Sequence, residues 1–290
     1  MSNYVIMTDS CCDLTQEMAD QLGLVVLPLT VETPKGDFKN YLDWREIDSK
    51  TFYDSLRAGD TCKTSAVNTG TFREAMEALL KEGKDIIYLA FSSGLSGTYN
   101  ASMIAVNELT ETYPDRKIYA VDTLCASMGQ GLIVYLAAQK KNEGASIDEL
   151  RDYVENTKMS VAHWFTVDDL MHLKRGGRVS GTTAVIGTML KIKPVLHVDD
   201  EGHLINMEKA RGRKSALNAL VDKMAATAIE PAKQTVFISH GDCEADAEFV
   251  AKKIKERLGV ETVYINNIGP VVGAHAGPGT VALFWLATQR

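Results

Sequence analysis

The sequence predicts an α/β protein of two domains, an N-terminal open parallel-sheet α/β domain and a C-terminal α+β domain. Three observations predict it. Short apolar runs without alternation, of which residues 86–91 are the clearest, have the pattern of strands buried on both faces. Segments with helical spacing and capping residues lie between them, so strand and helix alternate through the first part of the chain. After about residue 157, hairpin signals mix with helices, which divides the chain into 1–157 and 158–290.

Residues 4–7 form a first strand running into Thr8, Asp9 and Ser10. Asp13 and Thr15 offer caps for a helix over 16–22, and 24–31 is a second strand, giving a right-handed crossover unit. The polar segment 37–47 reads as an excursion, after which Asp48 or Ser49 caps a helix through Leu56. Residues 60–71, DTCKTSAVNTGT, are rich in small hydroxyl residues and precede a helix over 72–81. Strand 86–91 leads into SSGLSGT at 92–98, and Tyr99, Met103 and Val106 then recur at helical spacing in a helix over 98–108. A strand over 117–121 ends in Asp122 and Thr123; a loop reaching Gly129 and Gly131 precedes helices over 132–141 and 147–157. Ligands of open α/β sheets bind beyond the carboxyl ends of the strands, so Asp9-Ser10, Ser92-Ser93 and Asp122-Thr123 should crowd one edge.

In the second part, a strand over 162–167 and a short helix over 168–174 lead to Arg175-Gly176-Gly177-Arg178. A helix over 182–190, strands over 193–198 and 203–207 about the turn DDEG, and a helix over 213–228 follow. Strand 234–240, helix 245–258 and strand 261–265 come next. Residues 268–280 hold four glycines, two prolines and His275, a composition that specifies a fixed loop whose backbone approaches a ligand closely. An apolar helix is expected over 281–287.

The loop at 92–98 carries the first functional signal. A strand, a small-residue loop and a helix start aim backbone N–H groups and the positive end of a helix dipole at one spot, with hydroxyl donors added. That spot suits an anion, read here as a carboxylate. A formal charge of −7 over 290 residues argues against nonspecific binding to nucleic acid or an anionic membrane. No apolar segment reaches the length of a bilayer span, and the first residues lack the basic flank and apolar core of a signal peptide. A cytoplasmic protein is expected. The five cysteines show no metal or redox spacing, Cys11-Cys12 reads as a buried reduced pair, and the six histidines are scattered, so neither metal nor cofactor is expected.

Taken together, five passages resemble the DegV family of bacterial fatty-acid-binding proteins. They are Thr8-Asp9-Ser10; Thr64-Ser65; the run from Ser92 to Tyr99; Leu173 to Arg178; and Gly269-Pro270 through His275 to Gly279. They stand in family order over nearly the whole chain. The resemblance implies a two-domain protein that encloses one long-chain fatty acid between its domains, 1–157 and 158–290. It also implies presentation of the acyl carboxylate to a separate ATP-dependent fatty acid kinase, which makes an acyl phosphate for phospholipid synthesis. Contact with a membrane would be transient, for lipid exchange. The carboxylate contacts carry over to Thr64 and Ser96, with Ser65, Ser93 and His275 as further candidates. One departure stands out: where the family usually has proline two residues after the motif serine, Ala66-Val67-Asn68 follow Ser65.

Plainer readings compete. Ser92 and Ser93 suit turns, the Thr64 loop suits a helix cap, and Asp9 and Asp122 suit loop bracing better than catalysis. The basic residues Lys174, Arg175, Arg178, Lys191, Arg211 and Arg213 form a solvated face or a docking patch for the kinase, with Arg178, Arg211 and Lys191 the docking candidates. The alternative function is a small-molecule hydrolase or phosphate-handling enzyme using the 92–98 loop. Against it, no GxSxG elbow, P-loop or GxGxxG is present.

Overall fold

The structure is a computed structural model that describes residues 3–179 and 192–290. Strand β1 (Tyr4–Asp9) passes through a 3-10 turn (Ser10–Cys12) to helix α1 (Gln16–Gln21), whose cap Thr15 accepts the Met18 N–H. The single strand expected over 24–31 is two. β2 (Val25–Leu27) pairs with β1, whereas β3 (Thr30–Thr33) leaves for a separate three-stranded sheet. Pro28 stands at the break, where the missing N–H cannot continue a ladder. The expected excursion after it contains β4 (Gly36–Lys39), antiparallel to β3. Helix α2 (Ser49–Arg57) starts at Asp48, which accepts the Thr51 N–H at 2.9 Å. The hydroxyl-rich segment forms β5 (Lys63–Ser65), which adds to the other edge of β3 and places Thr64 opposite Val31. Val67 stands where the family's proline is expected, and Asn68 after it caps helix α3 (Thr69–Lys81).

Next come β6 (Asp85–Ala90), α4 (Thr98–Thr112), β7 (Ile118–Asp122), α5 (Met128–Asn142) and α6 (Ile147–Thr157). Four parallel strands in the order β2-β1-β6-β7 make the open sheet that the sequence predicts. Gly129 and Gly131, expected in a loop, lie inside α5. There the helix passes so close to the second sheet that a Cβ on Gly129 would overlap the His163 ring.

The remaining elements are β8 (Val161–Thr166), α7 (Leu170–Arg175), β9 (Ile192–Val198), β10 (Leu204–Arg211), α8 (Arg213–Thr227), β11 (Thr235–His240), α9 (Glu244–Leu258), β12 (Thr262–Asn267), α10 (Pro270–Ala276) and β13 (Val281–Leu286). The helix expected over 182–190 lies outside the described residues. Six strands in the order β10-β9-β8-β13-β11-β12 form a mixed sheet, in which β11 and β12 are parallel and the other pairs antiparallel. Two expectations fail here. Residues 281–287 were expected as a helix and are a central strand; the glycine-rich passage before them, expected as a loop, contains α10. The run VALFWL is short and rich in β-branched and aromatic residues, which favours a strand wherever both faces are covered. They are: Val281, Leu283 and Trp285 pack on one side of the sheet, Ala282 and Phe284 on the other.

Helix α5 lies between the sheets, against β1 and β6 on one side and β8, β11 and β13 on the other. Its core joins Ile6 and Ile87 of the first sheet to Phe165, Phe237 and Phe284 of the second. Leu283 is fully buried in the central strand. Leu283→Ala should lower unfolding free energy by about 2–5 kcal/mol, read as an earlier urea midpoint at unchanged slope. A loss below about 1 kcal/mol would contradict its placement in the core.

Candidate functional site

The carboxyl ends of β1, β6 and β7 meet as expected, and two carboxylates brace them, Asp9 fully buried and Asp122 half-buried. Asp9 accepts hydrogen bonds from the N–H groups of Cys11 (3.0 Å) and Phe91 (3.1 Å), from Tyr88 Oη (2.6 Å) and from Gln130 Nε2 (3.2 Å). Burial pushes its pKa up, and these four donors pull the other way. Asp122 accepts the N–H groups of Ser93 (3.2 Å) and Leu124 (3.0 Å). Both acids are thus occupied in holding loops.

The 92–98 loop differs from its expected form in one respect. Its backbone donors are partly spent within the loop: the Leu95 and Ser96 N–H groups donate to Ser92 O, each at 3.1 Å, and the Thr98 N–H donates to Ser96 Oγ at 3.3 Å. Hydroxyl groups therefore carry more of the site than free N–H groups do. Ser96 Oγ lies 2.9 Å from Thr98 Oγ1.

A cavity of about 230 Å³ opens between the two sheets. Its walls are apolar, with Leu29, Phe91 and Leu95 on one side and Phe165, Leu204 and Phe284 on the other. Thr64, Ser96, Arg178 and His275 also line it. A second cavity of about 400 Å³, less apolar than the first, adjoins it, sharing Thr64, Arg178 and His275 and adding Lys63, His172 and Arg175 together with Asp60. The three shared residues mark the junction of a greasy chamber with a cationic one.

The key contact at that junction is 2.7 Å long, between Thr64 Oγ1 and His275 Nε2. It depends on where α10 sits. Asp13 Oδ1 accepts the Gly269 N–H at 2.9 Å, Asn40 Oδ1 accepts the Val271 N–H at 3.2 Å, and Tyr53 Oη donates to Ile268 O at 2.7 Å. Ser127 Oγ donates to the other Asp13 oxygen at 2.6 Å, and burial still holds the Asp13 carboxyl up at about 7. The Arg-Gly-Gly-Arg motif closes the other side: a Cβ on Gly176 would overlap the His275 ring, and Arg178 donates from Nε to Leu95 O at 3.2 Å and from Nη1 to Gly176 O. Burial, with the Arg178 guanidinium beside it, pushes the His275 pKa down to about 4, so the ring is neutral at pH 7.

The structure thus brings Thr64, Ser96 and His275 to one cavity, and Arg178, expected only as a docking residue, joins them. Ser65 and Ser93 are left out of it. Ser65 Oγ donates to Glu32 Oε1, because the alternation of strand β5 turns it away from Thr64, and Ser93 is exposed. Arg211 is an exposed residue at the end of edge strand β10 and lines neither cavity. Lys191 lies outside the described residues. Cys11, Ser127 and His163 line the apolar chamber without any sequence signal that marks them. Among the described residues, no three metal-ligating side chains cluster, and no helix is long and apolar enough to cross a membrane.

The family model described as uncharacterised protein, DegV family, matches residues 3–288. The chain belongs to the DegV family. A DegV domain-containing protein of Clostridium perfringens, CPE0026, is 48% identical over 290 residues, covering 100% of this chain and 99% of that one. Among solved DegV structures, one from Thermus thermophilus, described by its fatty acid binding, superposes with a TM-score of 0.86 at 29% identity, over 98% of this chain and 99% of that one. The Streptococcus pneumoniae fatty acid kinase (Fak) B3 protein loaded with linoleic acid has a TM-score of 0.85 over 99% of both chains. Its 20% identity makes that a likeness of fold alone.

The depressed His275 pKa has a consequence for this DegV protein. An unfolded histidine takes up its proton near pH 6.5 and the folded His275 only near 4, so the unfolded state binds more protons in between. This residue's contribution to stability is full above about pH 6.5 and is lost as pH falls toward 4. Ligand-free wild type should therefore lose more Tm over that window than His275→Gln, measured by scanning calorimetry in matched buffers. Parallel curves for the two proteins would contradict a buried neutral ring.

Proposed function

We propose that this DegV protein binds one long-chain fatty acid in the chamber between its sheets. Its carboxylate is presented at the Thr64–Ser96–His275 mouth to a separate ATP-dependent fatty acid kinase. The kinase forms the acyl phosphate used in phospholipid synthesis, and the DegV protein itself does no chemistry. The two halves, meeting near residue 157, close over the lipid, and the protein works in the cytoplasm with only passing contact with a membrane. One observation carries the reading: the apolar chamber adjoins the cationic one, and Thr64, Arg178 and His275 line both.

Each end of a fatty acid makes its own demand. Burying some fifteen methylenes at about 0.8 kcal/mol each supplies a gross term of about 12 kcal/mol before ordering costs. A carboxylate leaving water needs charge-assisted hydrogen bonds or it takes up a proton. The hydroxyls of Thr64 and Ser96 supply donors, the neutral His275 ring holds the Thr64 hydroxyl in place, and Arg178 supplies positive charge nearby. A site of hydroxyls, with no carboxylate–arginine clamp of its own, leaves the acid oxygen free to attack a phosphoryl group. The cationic chamber gives the kinase a way in, with Lys63, Arg175 and Arg178 facing it and Arg211 farther along the surface for docking. The kinase role agrees with the name of the pneumococcal neighbour, and fatty acid binding with the description of the Thermus relative.

A hydrolase built on the 92–98 loop has less support. Ser92 Oγ donates to a backbone carbonyl and Ser96 Oγ pairs with Thr98, so neither serine meets a general base. Organic extraction of the purified protein followed by mass spectrometry should release long-chain fatty acid at near one per chain. Thr64→Ala with Ser96→Ala should retain much less lipid and support no kinase-dependent acyl phosphate. Recovery of a nucleotide or sugar phosphate, or full activity in the double variant, would end this reading.

A further inference from the structure

The turn at 199–202 belongs to the six-stranded sheet, yet it rests on the 92–98 loop at the end of β6 in the other sheet. Ser92 is fully buried, and its hydroxyl donates to Gly202 O at 2.8 Å. The two backbones touch so closely that a Cβ on Gly94 would lie 2.9 Å from Glu201 O and 3.0 Å from Gly202 O. From the other side, Gly202 has a φ of +79°, and a Cβ there would overlap Ser92 Oγ. Asp199 makes the turn rigid: its Oδ1 accepts the N–H groups of Glu201 (3.1 Å) and His203 (2.8 Å), and its carbonyl accepts the Gly202 N–H at 3.0 Å.

Ser92 also sets the geometry of its own loop. Its carbonyl accepts the Leu95 and Ser96 N–H groups, each at 3.1 Å, and its hydroxyl oxygen accepts the Gly94 N–H at 3.2 Å. A rigid body in one half of the fold therefore holds, through one serine, the backbone that carries Ser96. Val198 and Leu204, which flank the turn, line the apolar chamber, so the same hairpin walls the tail slot and pins the head-group loop.

We propose that Ser92, latched to Gly202, is a positioning residue for head-group recognition: the β9–β10 hairpin fixes Ser96 where an acyl carboxylate is held. The inference rests on the fatty-acid reading of the chamber. A hydrogen bond weakens steeply once its donor drifts in distance or angle, whereas contacts along an alkyl tail are non-directional. Release of the latch therefore loosens the acid end of a ligand and leaves the tail bound.

That difference separates positioning from general damage to the fold. Delipidated wild type, Ser92→Ala and Gly94→Ala are titrated calorimetrically with hexadecanoic acid and with hexadecan-1-ol. Ser92→Ala removes the latch, and Gly94→Ala pushes the turn away from the opposite side, so failure of one variant to fold leaves the other decisive. Both variants should lose about tenfold in affinity for the acid and little for the alcohol. Equal losses for the two ligands, or no loss for either, overturn the assignment. Wild type that binds neither ligand overturns the fatty-acid reading instead.

Discussion

A single hydrogen bond, between Thr64 Oγ1 and His275 Nε2, spans 211 positions of sequence and ties the small three-stranded sheet to helix α10. The rest of the site depends on it. Thr64 stands on β5, whose place is set by antiparallel pairing with β3; His275 stands on a helix anchored by Asp13, Asn40 and Tyr53. Neither element makes a polar mouth alone. The ring in this contact is neutral because burial, with the Arg178 guanidinium beside it, disfavours a second proton.

Buried polar groups do most of the joining between the halves. Asp13 takes donors from α5 and from the segment leading into α10, and Ser127 Oγ is also within 2.8 Å of Ser239 Oγ on β11. Such groups are costly to desolvate and are tolerated only when their partners are in place. That requirement makes the junction specific: a shift of either half would strand a carboxylate. The apolar core around α5 supplies cohesion, and the polar contacts supply register. An apolar chamber between the halves then persists because its rim is held at defined points.

Much of the fold was legible because local pattern and tertiary role agreed. The non-alternating run of β6 and the caps at Thr15 and Asp48 need only near neighbours to be read. Where pattern and role parted, the reading failed. VALFWL is apolar throughout, so its period says nothing of helix or strand, and only coverage on both faces decided for β13. Pro28 divided one apolar run between two sheets, a division that depends on which strand lies alongside. The glycines of α5 read locally as a loop because close approach to distant partners, Gly129 to His163 and Gly131 to Cys12 and Leu14, leaves no trace in their own neighbours.

The candidate site divides in the same way. The sequence alone determined the DegV family, the α/β architecture and the motifs that carry Thr64, Ser96 and His275, since these rest on residue type and spacing. Tertiary structure decided which hydroxyls reach the chamber: Thr64 and not its neighbour Ser65, Ser96 and not Ser93. It also moved Arg178 from the surface to the junction of the two cavities and laid the Gly202 turn on Ser92. The physical reason is range. Caps, periods and turns are settled within a few residues, whereas the direction of a side chain toward a ligand is settled by partners that the chain brings back from the opposite end of its length.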